Sequence, residues 1–104
     1  MKFIITVDTE RDNEWQRPDK TSLENIKFLP RFQELCQKYG FKPTYLVTYE
    51  VASDQESVRT LKAWQESSQA EIGAHLHPWT SPPFSREISW ENKVHRFPHE
   101  LDDT

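Results

Sequence analysis

The stretch PTYLVTYEVASDQESVRTLKAWQESSQAEIGAHL, residues 43–76, decides the fold that the sequence predicts. Its first seven and last seven residues are short, largely apolar runs bounded by polar segments, a pattern typical of strands. Between the two runs, Val58, Leu61 and Trp64 recur at a spacing of three and predict the apolar face of a helix. Two strands joined by a helix are expected to lie parallel in one sheet, with a right-handed crossover between them.

The residues before this stretch repeat the same pattern. KFIITV, residues 2–7, is β-branched and aromatic with little polar alternation, which predicts a strand buried on both faces. A helix is expected after it, because apolar residues recur at spacings of three and four: Leu23, Ile26, Leu29, Phe32, Leu35, Cys36 and Tyr39. Thr21 or Ser22 is expected to cap the start of this helix, and Gly40 its end. Pro30 either kinks the helix or begins a new one after a short turn.

The order strand, helix, strand, helix, strand places the chain in the α/β class, with a βαβαβ parallel sheet. The 104 residues have room for a single domain, residues 1–104, and the last strand of so small a sheet is an uncovered edge. We therefore expect an incomplete domain, the first part of a larger α/β fold, which forms homo-oligomers through the exposed sheet edge. Prolines interrupt any long element beyond His77, although residues 85–97 predict a short helix.

Composition and charge narrow the classes of partner. A net charge of −4, with acidic and basic residues interspersed, argues against nucleic acid, whose binding needs clustered Lys and Arg. The N-terminal apolar run reaches Asp8 after five residues, which is too short for a signal-peptide core or a membrane span. A cytoplasmic protein with no membrane partner is therefore expected. The single cysteine, Cys36, cannot form an internal disulfide and is expected to be buried in the core.

Polar side chains that bind metals follow the first and third predicted strands. Asp8 and Glu10 close the first strand, and His75 and His77 close the third. Ligands bind beyond the carboxyl ends of parallel strands, and side chains two residues apart in a strand point to one face. Two imidazoles and a carboxylate suit a divalent metal ion, with Zn²⁺ favoured and Co²⁺ or Fe²⁺ as alternatives. The spacing alone leaves open another interpretation, in which the histidines hydrogen-bond a loop and Asp8 caps a turn.

Several aromatic residues lie in the predicted loops: Trp15, Trp79, Phe84 and Trp90. Aromatic faces beyond strand ends stack on sugar rings in some proteins and pack over a small core in others. Trp79 adjoins the histidines, so we expect it to contact a substrate, together with Trp15. Trp64 lies on the apolar side of a helix and is expected in the core. His95 and His99 are expected to be exposed.

Three stretches resemble one known family: FIITVDTE at residues 3–10, KPTYLVTYEVA at 42–52 and EIGAHLHPW at 71–79. With helices between them, they look like the opening part of the polysaccharide deacetylase family, a group of carbohydrate esterases also called the NodB-homology domain. The resemblance covers nearly all of the chain. It implies an irregular (β/α) barrel and a metal-dependent hydrolase. Such an enzyme uses metal-activated water to remove acetyl groups from N- or O-acetylated carbohydrate, or from a related small amide or ester.

Carried over to this sequence, the acidic motif of the family falls on Asp8, with Glu10 beside it. The family has two aspartates here, one a metal ligand and one the catalytic base, and in this sequence Thr6 or Thr9 stands where the second aspartate falls. We favour Asp8 as the ligand, with Glu10 as the base or as a partner of a ligand. In the alternative, Asp8 is the base and Glu10 contributes to the metal site. The two histidines of the family are separated by three residues, which matches His75 and Trp79, so His77 is expected to replace the second.

A second class of function follows from the motifs that do not match. The later motifs of the family supply an arginine, part of the acetyl pocket and a general-acid histidine, and none has a counterpart before Thr104. The alternative is therefore a catalytically inactive, truncated remnant that acts as a sugar-binding or protein-interaction module. A third interpretation is a different metal-dependent hydrolase, in which the pair His75 and His77 is itself the ligand motif.

Overall fold

The fold is a three-stranded parallel sheet with helices between its strands. The computed structural model describes residues 1–16, 18–78 and 80–82 of the chain. The strands are β1 (Thr6–Thr9), β2 (Thr44–Val47) and β3 (Glu71–Ala74), with β2 in the centre. The helices are α1 (Leu29–Lys38), α2 (Tyr49–Ala52) and α3 (Gln55–Glu66), and Glu14–Gln16 and Glu24–Phe28 are 3₁₀ turns. The predicted α/β class and parallel βαβαβ sheet are confirmed. The described sheet is open, so the barrel stays a prediction.

The first strand is shorter than predicted and is not buried on both faces. The predicted strand of residues 2–7 begins only at Thr6, which lies opposite Thr44, the first residue of β2. Ile4 precedes that pairing, and its side chain is 77% exposed. The prediction of a strand buried on both faces was therefore wrong for β1. Even the central strand β2 is fully buried only at Tyr45, because Thr44 and Leu46, which point to the opposite face, are half-buried.

The first predicted helix is divided in front of Pro30. Glu24–Phe28 forms a 3₁₀ turn, and α1 begins at Leu29 with Pro30 in its first turn. A proline is well tolerated there, because the first N–H groups of a helix have no partner within the helix. Of the two outcomes expected for Pro30, the new helix after a short turn is the one confirmed.

The loop after β1 supplies the cap of that 3₁₀ turn. The Asp12 carboxylate accepts hydrogen bonds from the backbone N–H groups of Glu24 at 2.9 Å and Asn25 at 2.8 Å. The Ser22 hydroxyl donates to the same carboxylate at 2.6 Å. The expectation that Thr21 or Ser22 itself caps the helix was therefore wrong, and Ser22 instead supports the residue that does.

The core lies around Tyr45 on the central strand. Tyr45 is buried with Val51, Leu61 and Ala70, and eight partly buried residues pack against them: Val7, Leu23, Ile26, Leu29, Phe32, Val47, Trp64 and Ile72. The predictions that Trp64 packs in the core and that Cys36 is buried are both confirmed. The Tyr45 hydroxyl donates to Oε1 of Gln33 at 2.7 Å, and Nε2 of Gln33 donates to the backbone oxygen of Gln69 at 2.9 Å. This buried chain of hydrogen bonds ties α1 to β2 and to the segment that enters β3.

Some sequence predictions concern residues outside the described ranges. They are Trp79, Phe84, the short helix at residues 85–97, Trp90, His95 and His99. Within the described ranges, none of the helices combines the length and the apolar character that crossing a membrane requires.

Candidate metal centre

The carboxyl ends of the three strands meet at one edge of the sheet. Thr9 ends β1 and pairs with Val47, and Val47 pairs in turn with Ala74 at the end of β3. Glu10 follows β1 directly and His75 follows β3, so the two leave the sheet on either side of the end of β2. The backbone N–H of His75 donates to the carbonyl oxygen of Val47 at 2.8 Å, which extends the strand pairing up to the first histidine.

Glu10, His75 and His77 converge at this edge. Oε1 of Glu10 lies 3.3 Å from Nδ1 of His75 and 3.5 Å from Nε2 of His77. One ligand atom from each of the three side chains lies within 4.8 Å of the others. The two imidazole rings are 4.6 Å apart between centroids and are inclined at 67°, so they meet edge to face rather than stacked.

The two separations between the Glu10 oxygen and the histidine nitrogens fit a tetrahedral divalent ion. Two ligands at the usual Zn–N and Zn–O distances are about 3.4 Å apart around a tetrahedral metal. Both separations from Oε1 of Glu10 lie close to that value. Nδ1 of His75 is buried and has no hydrogen-bond partner among the described residues, which suits a nitrogen whose lone pair is reserved for a metal. The donor set therefore fits the predicted divalent cation, without distinguishing Zn²⁺ from Co²⁺ or Fe²⁺.

Asp8 lies at the margin of this group. Its Oδ1 is 3.9 Å from Nδ1 of His75, and its side chain is 64% exposed, whereas that of Glu10 is 12% exposed. Asp8 lies inside β1, and Glu10 lies beyond its end with a longer side chain. The structure thus brings Glu10 together with both histidines and leaves Asp8 beside them. This is the arrangement of the alternative assignment, in which Glu10 contributes to the metal site.

The other ring nitrogen of His77 lies beside Glu14, which is paired with Arg11, and neither residue was predicted from the sequence. Nδ1 of His77 lies 3.4 Å from Oε1 of Glu14, and Oε2 of Glu14 accepts a hydrogen bond from Nε of Arg11 at 2.7 Å. All three side chains are buried, with exposed fractions between 5% and 8%. The only signal in the sequence is the spacing of Arg11 and Glu14 by three residues in a loop, which does not indicate that they face a histidine.

Burial and neighbouring charges shift the pKa values in this group. Burial raises the pKa of Glu10, and the two nearby imidazoles oppose that rise. Burial lowers the pKa of His77, but the hydrogen bond and charge of Glu14, with the charges of Glu10 and Glu50, outweigh it and leave that pKa raised. Burial likewise raises the pKa of Glu14, but its hydrogen bonds with His77 and Arg11 outweigh it and leave the pKa lowered. The surroundings of His77 therefore favour a positive charge.

Glu50 is a further carboxylate at this edge that sequence reasoning missed. It lies in the first turn of α2, just after β2, between the ends of β1 and β3. Both of its carboxylate oxygens are buried and have no hydrogen-bond partner within the described part of the chain, and the same holds for Oγ1 of Thr48. Its charge contributes to the raised pKa of His77. An acidic residue at the end of the central strand was the available signal.

A cavity of about 430 Å³ opens beside the group. It is lined by Asp8, Glu10, Arg11, Asn13, Glu14, Trp15, Gln16 and Asn25. Trp15, which the sequence analysis expects to contact a substrate, is 82% exposed on its wall. Carboxylates, amides and one aromatic face thus surround a space next to the three candidate ligands.

No family model, no curated protein and no solved structure matches the chain. The resemblance to polysaccharide deacetylases therefore stays a prediction based on the three stretches quoted above.

Proposed function

We propose that Glu10, His75 and His77 bind a divalent metal ion and that the protein is a hydrolase of the polysaccharide deacetylase type. The observation that supports this most directly is the convergence of one carboxylate and two imidazoles within 4.8 Å at the carboxyl edge of the sheet. Three protein ligands leave a tetrahedral metal with an open position, which is the arrangement of catalytic rather than structural sites. When bound there, a divalent ion supplies a Lewis acid that polarises a carbonyl and activates water.

Asp8 is the residue of this chain that suits the role of general base. It is largely exposed, it lies on the wall of the cavity, and its Oδ1 is 3.9 Å from a candidate ligand atom of His75. A base must reach the reacting water while remaining free to take up a proton, and an exposed carboxylate beside the ligands meets both needs. Glu10 is not free to take up a proton in this way, because its Oε1 lies beside both histidines.

The cavity beside the ligands suits an acetylated carbohydrate, or a related small amide or ester. The exposed indole of Trp15 offers a flat apolar face on which a sugar ring stacks. Asn13 and Asn25 add side-chain amides, which donate to and accept from hydroxyl and acetamido groups. A substrate held in this way has its acetyl group near Glu10 and Asp8.

Titration calorimetry with Zn²⁺ and Co²⁺, together with an assay of acetate release, tests the proposal. We expect one metal ion per chain, and binding that is lost in His75→Ala, His77→Ala and Glu10→Gln. Glu34→Gln serves as the matched control, because Glu34 is exposed on α1. Acetate release from N-acetylated chito-oligosaccharides should depend on the metal and fall strongly in Asp8→Asn, which keeps the metal. A wild-type chain that binds neither ion would overturn the proposal, and metal binding without acetate release would favour the inactive sugar-binding module.

A further inference from the structure

His77 has a different carboxylate on each of its two ring nitrogens. Nε2 lies 3.5 Å from Oε1 of Glu10, and Nδ1 lies 3.4 Å from Oε1 of Glu14. A neutral imidazole carries its proton on only one nitrogen, and the other nitrogen then offers a lone pair. Which carboxylate receives the N–H therefore decides whether Nε2 can bind a metal.

Glu14 is held in place for this contact by Arg11. Nε of Arg11 donates to Oε2 of Glu14 at 2.7 Å, which leaves Oε1 facing His77. A terminal nitrogen of Arg11 donates in turn to the backbone oxygen of Pro18 at 3.0 Å, so the guanidinium is fixed at two points. Charged side chains as deeply buried as these are seldom found in proteins unless they are paired.

The backbone between Arg11 and Glu14 is bent to make this arrangement. Asn13 adopts a left-handed conformation with φ of 56°, which asparagine tolerates better than most residues other than glycine. The 3₁₀ turn Glu14–Gln16 begins directly after it. Across this bend, Arg11 contacts Glu14, and Glu14 contacts His77.

We propose that Glu14, fixed by Arg11, is a positioning residue that keeps the proton of neutral His77 on Nδ1 and so directs the lone pair of Nε2 toward Glu10 and a metal ion. The part that concerns the metal rests on the function proposed above. Carboxylates that accept from the outer nitrogen of a metal-binding histidine act in this way in many metal sites. Oε1 of Glu14 faces Nδ1 of His77 while Arg11 holds Oε2, whereas Glu10 places a single oxygen near both histidines, so Glu14 is the better oriented acceptor for the N–H.

The substitution Glu14→Gln should invert the tautomer of His77. The amide oxygen of the glutamine can still accept from Arg11, and its NH₂ group then faces Nδ1 as a donor. Nδ1 must accept that hydrogen bond, so the proton moves to Nε2 and the lone pair no longer faces Glu10. The side chains have nearly the same size, and the change therefore acts on the hydrogen-bond direction rather than on the packing.

Nuclear magnetic resonance of the ¹⁵N-labelled, metal-free chain reads the tautomer directly, at an alkaline pH where His77 is neutral. We expect Nδ1–H in the wild type, Nε2–H in Glu14→Gln, and Nδ1–H in the exposed control Glu34→Gln. Zn²⁺ affinity, measured by calorimetry, should fall about 10- to 100-fold in Glu14→Gln and stay unchanged in the control. If Glu14→Gln fails to fold, Glu14→Asp takes its place, since its carboxylate should keep the Nδ1–H form with weaker Zn²⁺ binding.

The outcomes separate this inference from the proposed function. The role of Glu14 would be overturned, whatever the metal does, if wild-type His77 carried its proton on Nε2. The same holds if His77 kept Nδ1–H in Glu14→Gln or changed to Nε2–H in Glu14→Asp. A wild type with Nδ1–H, an inverted Glu14→Gln and no Zn²⁺ binding would uphold the positioning of His77 and overturn the proposed metal site.

Discussion

At the scale of single residues, the burial of the Glu50 carboxylate destabilises the metal-free fold, and a bound cation would offset this effect. Both of its oxygens are buried without a hydrogen-bond partner in the described residues, and burying a carboxylate in this way is unfavourable. Glu50→Met should therefore raise the free energy of unfolding of the chelator-treated chain by about 1 to 3 kcal/mol, because the buried charge is removed. The same change should weaken Zn²⁺ binding, because a carboxylate near His77 is lost.

Urea unfolding in the presence of a chelator and calorimetric Zn²⁺ titration measure these two effects. Glu34→Met is the matched control, since the same substitution at an exposed position of α1 should change neither quantity. Opposite signs for stability and affinity are the expected result. A Glu50→Met chain that is less stable than the wild type without metal would show that the Glu50 carboxylate stabilises the metal-free fold.

The raised pKa of His77 predicts how the stability of the metal-free chain depends on pH. A group whose pKa is higher in the folded chain than in the unfolded chain stabilises the fold when it is protonated. For His77 this contribution is complete below the pKa of histidine in the unfolded chain, near 6.5, and is lost as the pH rises through the higher pKa of the folded chain. The metal-free chain should therefore become less stable as the pH is raised from about 6 to about 9. With Zn²⁺ present the slope should reverse, because a metal binds only neutral imidazole.

Urea unfolding with and without Zn²⁺ across that range gives both slopes. His77→Gln should flatten both, because it removes the titrating ring and a metal ligand together. A metal-free wild type that gains stability toward alkaline pH would contradict the surroundings described for His77.

The residues of the candidate centre were predictable only where strand geometry fixed them. Asp8 with Glu10, and His75 with His77, are pairs spaced by two at strand ends, and this pattern predicted that they meet at one edge. That Glu10 rather than Asp8 lies closest to both histidines did not follow from it. Glu14 could not be predicted in the same way, because its contact with His77 depends on the path of the loop after β1. That path depends on the left-handed Asn13, whose conformation no sequence pattern specified.

At the scale of elements, the cap that Asp12 provides links the loop after β1 to the 3₁₀ turn before α1. Asp12→Ala removes the acceptor for two backbone N–H groups and should lower the free energy of unfolding by about 1 kcal/mol. The hydrogen bond from Ser22, followed by that from Asn25, lowers the pKa of Asp12. The contribution is therefore present above the unfolded pKa and is lost as the pH falls through the lower folded value.

Urea unfolding at neutral pH and in acid measures the contribution of Asp12. Glu34→Ala serves as the control, because Glu34 is also an exposed acidic residue and caps no helix. The difference between Asp12→Ala and the wild type should shrink in acid. An equal loss at both pH values would show that the ionised carboxylate is not what caps the turn.

The end of α1 was predicted from Gly40 and carries a second prediction for this scale. Gly40 has φ of 74°. Its N–H donates to the backbone oxygen of Gln37 at 3.2 Å, and the N–H of Phe41 donates to the backbone oxygen of Cys36 at 2.8 Å. This is the Schellman arrangement of hydrogen bonds. Gly40→Ala should cost about 1 kcal/mol of unfolding free energy through backbone strain alone, because no atom lies within 4 Å of the added Cβ.

Thermal and urea unfolding of Gly40→Ala and Gly40→Asn check the origin of this cost. Asparagine also adds a Cβ but tolerates the left-handed conformation better, so it should lose less stability than alanine. Equal losses in the two variants would point to crowding rather than to backbone strain.

The elements themselves were predictable from apolar periodicity, but their limits were not. Each predicted strand was longer than the strand in the structure, because composition does not say where a partner strand begins. Residues 3–5 are as apolar as the rest of the first run, yet β1 begins only where Thr6 meets Thr44. The cap of the first helical segment was missed for a related reason, since Asp12 lies far from it along the chain.

At the scale of the whole molecule, both outer strands have one neighbour each within the described sheet. A shallow, largely apolar groove of about 240 Å³ runs between α3 and β3, and its lining includes Val47, Val58, Leu61 and Ile72. Unpaired strand edges and adjacent apolar surface favour association of chains. An exposed edge was predicted from the sequence for the same reason, and association through it stays a prediction.

This surface predicts self-association that a single charge should weaken. Val58 is 39% exposed beside the groove, so Val58→Lys places an ammonium group there without emptying the core. Ala63→Lys is the matched control, because Ala63 is an exposed position on the same helix and does not line the groove. Sedimentation equilibrium over a wide concentration range should show association of the wild type and of Ala63→Lys, with a shift toward monomer in Val58→Lys. Since a charge beside an apolar contact must be desolvated when two chains meet, the shift should persist at high salt. A wild type that stays monomeric throughout would show that the edge of β3 and its groove are covered within one chain.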